Sequence, residues 1–219
     1  MNTLAVLPIK SFTHAKQRLA DELEAGPRRV LAEAMFSDVV TALRRSTAVD
    51  AMLIVSSDHT AQRIAGGHGG DVLEDRGEGH SQAATLGVSY AVEHGARRVL
   101  LVPGDCPLLD PRQLDELLGR PVGDPSALIV PDRHGTGTNA LLLTPPTSLT
   151  PSFGPDSCER HQRLAAELGT VAEVVQVPSL ALDVDTAEDL AALRQTLEAT
   201  RGGAAHTRGM LNQLTRSRA

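Results

Sequence analysis

The stretch "TLAVLPIKSFTHAKQRL", residues 3–19, is a short apolar run joined directly to a cationic loop. The run "TLAVLPI" has the length and composition of a buried strand, and the loop after it decides which fold it opens. A dinucleotide-binding fold would show G-x-G-x-x-G here, and a P-loop would show G-x-x-x-x-G-K-[ST]. Neither is present, and no glycine occurs before Gly26. The loop carries Lys10, Lys16 and Arg18 instead, and those two lysines are the only ones in the chain. Lysine presents a compact charge with rotatable donors, suited to phosphate oxygens whose geometry changes during reaction. Three cations at the carboxyl end of a first strand therefore read as a phosphate clamp.

Outward from this stretch, short β-rich runs alternate with helical patterns. The expected strands are 3–9, 51–57, 71–75, 97–105, 126–132, 139–145 and 172–178. The expected helices are 27–45, 59–66, 81–94, 111–118, 157–168 and 186–199. Pro27 suits a first helical turn, Asp110 precedes Pro111 as an N-cap, and Asp185 is expected to cap the last helix. The alternation predicts a three-layer α/β/α fold with a mainly parallel mixed sheet. Ligands of such sheets sit beyond the carboxyl ends of the strands, which selects the loops to read. Residues 1–200 are expected to form one domain. Residues 201–219, with four arginines and no acid, are expected to be a disordered basic tail.

Composition narrows the function. The formal net charge is −6 and aromatics make up 2% of the 219 residues, with no Trp. A nucleic-acid binder would show a basic face and stacking rings. No apolar run approaches a membrane span and the first residues show no signal-peptide pattern, so a reducing cytoplasm is the expected setting. Cys106 and Cys158 have no metal-ligand or disulfide spacing, and Cys106 reads as a small buried side chain. His134 and His161 read as surface residues. There is no G-x-S-x-G nucleophile motif.

Four further loops can carry chemistry. In "VPGDCPLLDP", Asp105 ends a strand between glycine and proline, a placement that suits a hard divalent cation. In "LALDVDTAEDL", Asp183 and Asp185 are two apart on extended chain and face one side. With Asp105 they supply carboxylates from two remote segments, the way a fold builds a Mg²⁺ site at a sheet edge. In "EDRGEGHSQAATLG", Gly77 and Gly79 allow close backbone approach ahead of a helix N-terminus, as a nucleotide base or ribose requires. The pair "GTGTNAL" and "FGPDS" offers Thr138, Asn139, Gly154 and Ser157, hydroxyls and amides able to collect a small anion.

Together these motifs resemble the CofC/FbiD guanylyltransferases of coenzyme F420 biosynthesis, a branch of the nucleotidyltransferases with a glycosyltransferase-A-like fold. The resemblance covers about residues 3–200 and rests on "LPIKSFTHAKQRL", "VPGDCPLL", "GTGTNALLL", "FGPDS" and "LDVDTAEDL". It implies transfer of GMP from GTP to a small phosphorylated acid with release of diphosphate. Phosphoenolpyruvate is the first expectation, with 2-phospho-L-lactate and 3-phospho-D-glycerate as alternatives. It also implies acceptor contacts at Thr138, Gly154 and Ser157, with Asn139 beside them. Ser56, Gly77, Gly79 and Ser81 are expected at the nucleotide. Lys10, Lys16, Arg18 and Asp105 are expected at the reacting phosphates, with Asp105, Asp183 and Asp185 on Mg²⁺. Where a Gly-Leu-Asn-like segment is expected near the base, this chain has Gly79-His80-Ser81. Competing expectations are a molybdopterin or sugar-phosphate nucleotidyltransferase, a glycosyltransferase, and a non-catalytic GTP-binding regulator. Oligomeric state is left open, a homodimer being one option.

Overall fold

A computed structural model describes residues 1–75, 77 and 79–218. Seven strands form one sheet: β1 (Thr3–Pro8), β2 (Ala51–Val55), β3 (Asp71–Leu73), β4 (Arg98–Leu101), β5 (Ser126–Pro131), β6 (Thr138–Thr144) and β7 (Val171–Val174). Their spatial order is β3-β2-β1-β4-β6-β5-β7. β6 runs antiparallel to both β4 and β5, and the other pairs are parallel. The expected mainly parallel mixed sheet is the observed one.

The reason lies in the period-two pattern. Ala5, Leu7, Met52, Ile54 and Leu100 point to one face. Leu4, Val6, Leu53, Val55 and Leu101 point to the other. Apolar residues on both sides require helices on both sides. One face is covered by α1 (Ala25–Arg45), α2 (His59–Gly67) and α4 (Pro111–Leu118), which contribute Phe36, Val40, Ala61 and Leu114. The other is covered by α3 (His80–Glu93) and α5 (Ser157–Leu168), which contribute Ala84, Val88 and Cys158. Gly87 lets α3 lie close on β1, since a Cβ there would meet Val6 Cγ1 at 2.2 Å.

A third cluster joins the far side of α1 to α6 (Ala187–Ala199) and α7 (Ala205–Arg218). The tail expected to be disordered is thus a helix over its described part, with Ala219 outside the described residues. Met210 and Leu211 are buried against Leu31, Met35 and Leu193, and burying that stripe offsets the entropy of ordering the segment. Asp38 on α1 accepts the His206 and Thr207 backbone amides and so satisfies orphan donors at the start of α7. The cap of α6 also differs from expectation. Thr186 is the N-cap and forms a reciprocal capping box with Asp189, which leaves Asp185 free of that task.

Candidate active site

β1 connects to β2 on one side and pairs with β4 on the other, so the sheet's order reverses at β1. A cleft of about 710 Å³ opens at that point, lined by the carboxyl-end residues Lys10 and Asp105, by Lys16 and Asp185, and by Gly77 and Gly79. Its size and position are those of a small-molecule site in an open α/β sheet. The first loop is fixed to its neighbour: Ile9 N donates to the Val55 carbonyl and Phe12 N to Asp58 Oδ2. Asp58 also caps α2, so one carboxylate fastens both segments.

The loop then makes two short 3-10 turns, Phe12–His14 and Gln17–Leu19. Between them Lys16 adopts a left-handed backbone with φ of 57°. This reversal turns its side chain inward, where it is 7% exposed. Its ammonium lies 2.5 Å from Asp105 Oδ2 and 2.8 Å from Asp185 Oδ1. Burial alone would lower the Lys16 pKa, but the two carboxylates outweigh it and hold the ammonium well above its usual range. Lys10 is exposed at the rim. Arg18, expected in the same clamp, is exposed outside the cleft. The 3-10 turn buries Leu19 and directs Arg18 away, so of the three expected cations only Lys10 and Lys16 line the cleft.

The carboxylates converge because Val184 N donates to the Asp105 carbonyl at 3.2 Å, stitching the two remote segments together. Leu182 and Val184 are buried while Asp183 and Asp185 are half-buried, as alternation along extended chain requires. Burial, then the charge of Asp105, raises the Asp183 pKa, and Asn139 Nδ2 donates to Asp183 Oδ1 at 3.1 Å. Asn139 is therefore an orienting partner of a carboxylate. Asp105 Oδ1 is buried without a hydrogen-bond partner. Among the described residues no three His, Cys, Asp or Glu side chains stand close enough to hold a metal ion. The expected triad is thus not preassembled, because Lys16 occupies the space between two of its members. The donor set retains two features that suit a hard cation: Asp105 keeps a buried oxygen without a partner, and burial, then the charge of Asp105, disfavours the charged form of Asp183. Cys106 is buried, and burial pushes its thiol well above the usual range, which suits packing rather than nucleophilic attack.

Gly77 and Gly79 have φ of 80° and 116°, conformations that favour glycine. Gly79 precedes α3, whose first residue, His80, lines the cleft. Burial lowers the His80 pKa, and its ring meets Phe153 edge-on at 5.1 Å. Two expected nucleotide contacts lie elsewhere. Ser56 is fully buried, and its hydroxyl accepts from Asp58 N in a turn, while the adjacent Ser57 lines the cleft. Ser81 is committed to the protein, accepting from Phe153 N at 2.9 Å.

The remaining expected residues gather at the start of β6 and of α5, beyond the residues that line the cleft, and the Ser157 side chain is buried there. Gly154 has φ of 119°, and Ser157 N donates to its carbonyl. Cys158 N donates to the Thr136 carbonyl, joining this turn to the loop that carries Thr138. The same two segments are clamped by His161, which is fully buried rather than on the surface. Ser152 N donates to its Nε2 at 3.0 Å, and its Nδ1 lies 3.0 Å from Thr138 Oγ1.

Known proteins share this fold. Residues 3–215 match the family described as "Guanylyl transferase CofC like". The chain belongs to that family. A phosphoenolpyruvate guanylyltransferase of Conexibacter woesei is 56% identical over 219 residues, covering 99% of this chain and 98% of that protein. A 3-phospho-D-glycerate guanylyltransferase of Colwellia psychrerythraea is 35% identical, covering 87% of this chain and 90% of its own. A crystal structure from Desulfovibrio desulfuricans G20, assigned to the nucleotide-diphospho-sugar transferases, superposes with a TM-score of 0.75 at 17% identity, covering 97% and 95% of the two chains. At that identity it supports the fold alone, and the fold agrees.

For a CofC-like guanylyl transferase, the structure gathers Lys10, Lys16, Asp105, Asp185, Gly77 and Gly79 in one cleft and sets Asp183 against Asn139 behind it. Sequence reading named His80 only within the segment expected near the base, did not single out Ser57, and put His161 on the surface. His161 has a measurable signature of its own. Burial first, then Arg160, depresses its pKa from 6.5 to about 4. The unfolded chain therefore binds the proton between those values while the folded one does not, and stability falls as pH drops through that window. Wild type should lose roughly 3 kcal/mol more between pH 7 and pH 4 than His161→Gln, read by urea melts at each pH. Parallel pH profiles for the two proteins would show that His161 is not held neutral.

Proposed function

We propose that this chain transfers GMP from GTP to phosphoenolpyruvate and releases diphosphate. The observation that carries the reading is full-length identity of 56% to a phosphoenolpyruvate guanylyltransferase, in a chain whose cleft pairs two lysines with convergent carboxylates. The triphosphate lies between the Lys10–Lys16 loop and the N-terminus of α3, where backbone amides and ammonium groups favour anions. The acceptor lies by Thr138, Gly154 and Ser157. An oxygen of the acceptor phosphate attacks the α-phosphorus of GTP in line, the bond to the β-phosphate oxygen breaks, and diphosphate leaves with its electron pair. A phosphate dianion is already ionised near neutral pH, so no side chain need remove a proton. The protein positions two anions against each other and offsets their charge, with Lys16 nearest the carboxylates and Lys10 at the rim. A Mg²⁺ held by Asp105, Asp183 and Asp185 would supply further neutralisation of the triphosphate.

The test is diphosphate release from GTP and MgCl₂ with phosphoenolpyruvate, 2-phospho-L-lactate or 3-phospho-D-glycerate. A deazaflavin acceptor traps the product for mass spectrometry, as a role in coenzyme F420 biosynthesis requires. We expect kcat/KM for phosphoenolpyruvate to exceed the other two by at least about tenfold, which corresponds to roughly 1.4 kcal/mol of transition-state binding. Preference for 3-phospho-D-glycerate would transfer the assignment to that acceptor. Release with ATP but not GTP would overturn the nucleotide.

A further inference from the structure

His161 is not among the residues that line the cleft, and its hydrogen-bond partners Thr138 and Ser152 are uncharged, yet it joins both segments that carry the proposed acceptor residues. Its two ring nitrogens are engaged differently. A backbone amide can only donate, so Ser152 N at 3.0 Å requires a bare lone pair on Nε2. A neutral imidazole then carries its proton on Nδ1, which donates it to Thr138 Oγ1 across a nitrogen–oxygen distance of 3.0 Å. Once its oxygen accepts from His161, the Thr138 hydroxyl has its own proton left to give.

We propose that His161 is a positioning residue that fixes the Thr138 hydroxyl as a donor aimed at the anionic acceptor. The inference rests on the proposed seat of the acceptor beside Thr138. Its physical content is preorganisation: a free threonine hydroxyl rotates and can present a lone pair to an anion, whereas this one presents a proton. The surroundings agree. Burial and the Arg160 guanidinium keep the ring neutral, which the arrangement needs, since a doubly protonated ring could not accept from Ser152. Arg160 Nη2 stands 3.7 Å from where a Cβ on Gly154 would lie, so positive charge borders the same turn. Phe153 packs its ring against His161 at 5.3 Å and against His80 of the cleft at 5.1 Å, which ties the imidazole plane to the nucleotide side.

Two substitutions separate this role from simple clamping of the loop. Glutamine places an acceptor where Nε2 was but no donor at the Nδ1 position, so His161→Gln keeps the Ser152 bond and loses the Thr138 one. Asparagine does the reverse. We expect Thr138→Val to raise the acceptor KM about tenfold with the GTP KM little changed, the size of losing one hydrogen bond to a charged group. His161→Gln should raise the acceptor KM about fivefold, His161→Asn should stay within about threefold of wild type, and His161→Gln should add nothing to Thr138→Val. Multiplying effects in the double variant, or damage by Asn but not by Gln, would overturn the proposal in favour of a loop clamp. Nitrogen-15 NMR of the free protein gives a second reading that needs no turnover. The proton is expected on Nδ1, and a proton on Nε2 defeats the inference. If wild type transfers GMP to none of the three phospho-acids, the parent assignment fails by itself, and the tautomer still decides whether His161 holds the Thr138 hydroxyl as a donor.

Discussion

Replacing Asp105 with Asn should cut diphosphate release by about 10²- to 10³-fold, the scale of losing one preorganised electrostatic contact to a transition state, and leave the fold in place. The local geometry separates the two effects. The Asp105 backbone carbonyl, which accepts from Val184 N, is untouched by the change, so the two segments stay stitched. The side chain loses the charge that Lys16 contacts at 2.5 Å and the oxygen that stands buried without a partner. Lys16 keeps Asp185, and the Asp183 pKa, raised partly by Asp105, should relax downward. Thermal melts should show a loss of a few degrees at most, while titration of turnover with MgCl₂ should fail to restore the rate. A variant with near-normal turnover would remove Asp105 from the reaction, and with it the case for a cation at this edge.

Much of this fold is legible in the sequence because burial on both faces leaves a strict imprint. Runs such as "TLAVLP" and "SALIVP" alternate between two cores while every position is apolar or small, so strand identity and helix layers follow from the letters. The tail is the exception, because its polar composition hides a stripe. Ala204, Thr207, Met210, Leu211 and Leu214 recur at three- and four-residue steps, the signal of an amphipathic helix. The site is legible in its loops and less so in its directions. Lys16 and Arg18 are two letters apart, yet a left-handed residue sends one inward and the turn sends the other to solvent. Sequence spacing carries no such information, because which side of a short 3-10 turn faces the cleft is set by Leu19 finding the third core. His161 is a similar case. Its partners are nine and 23 residues away, and only the folded chain makes them neighbours.

Lys16→Met gives the other large effect, and it has two signatures that should move in opposite directions. Methionine keeps the apolar stem but removes an ammonium that is 7% exposed between carboxylates that are 26% and 48% exposed. The contact to the half-exposed Asp185 is screened by water and contributes little, so the cost falls mainly on Asp105. Leaving that half-buried carboxylate unpaired should lower stability in metal-free buffer, by about 1–3 kcal/mol once partial screening by water is allowed for. On the proposed reaction, turnover should fall about 10²-fold, because a buried ammonium of the cleft is gone. Yet the competitor for the carboxylates is gone too. If Lys16 and a divalent ion share Asp105 and Asp185, MgCl₂ should raise the melting temperature of Lys16→Met more than that of wild type, since a ligand stabilises in proportion to how tightly it binds the folded state. Lys16→Arg should keep the charge but not the fit, giving wild-type stability without wild-type turnover. Equal Mg²⁺ shifts in wild type and Lys16→Met would mean that the ammonium and the metal do not compete. The lysine would then be a structural strut beside the chemistry, and the inward turn of the first loop would need a different reason.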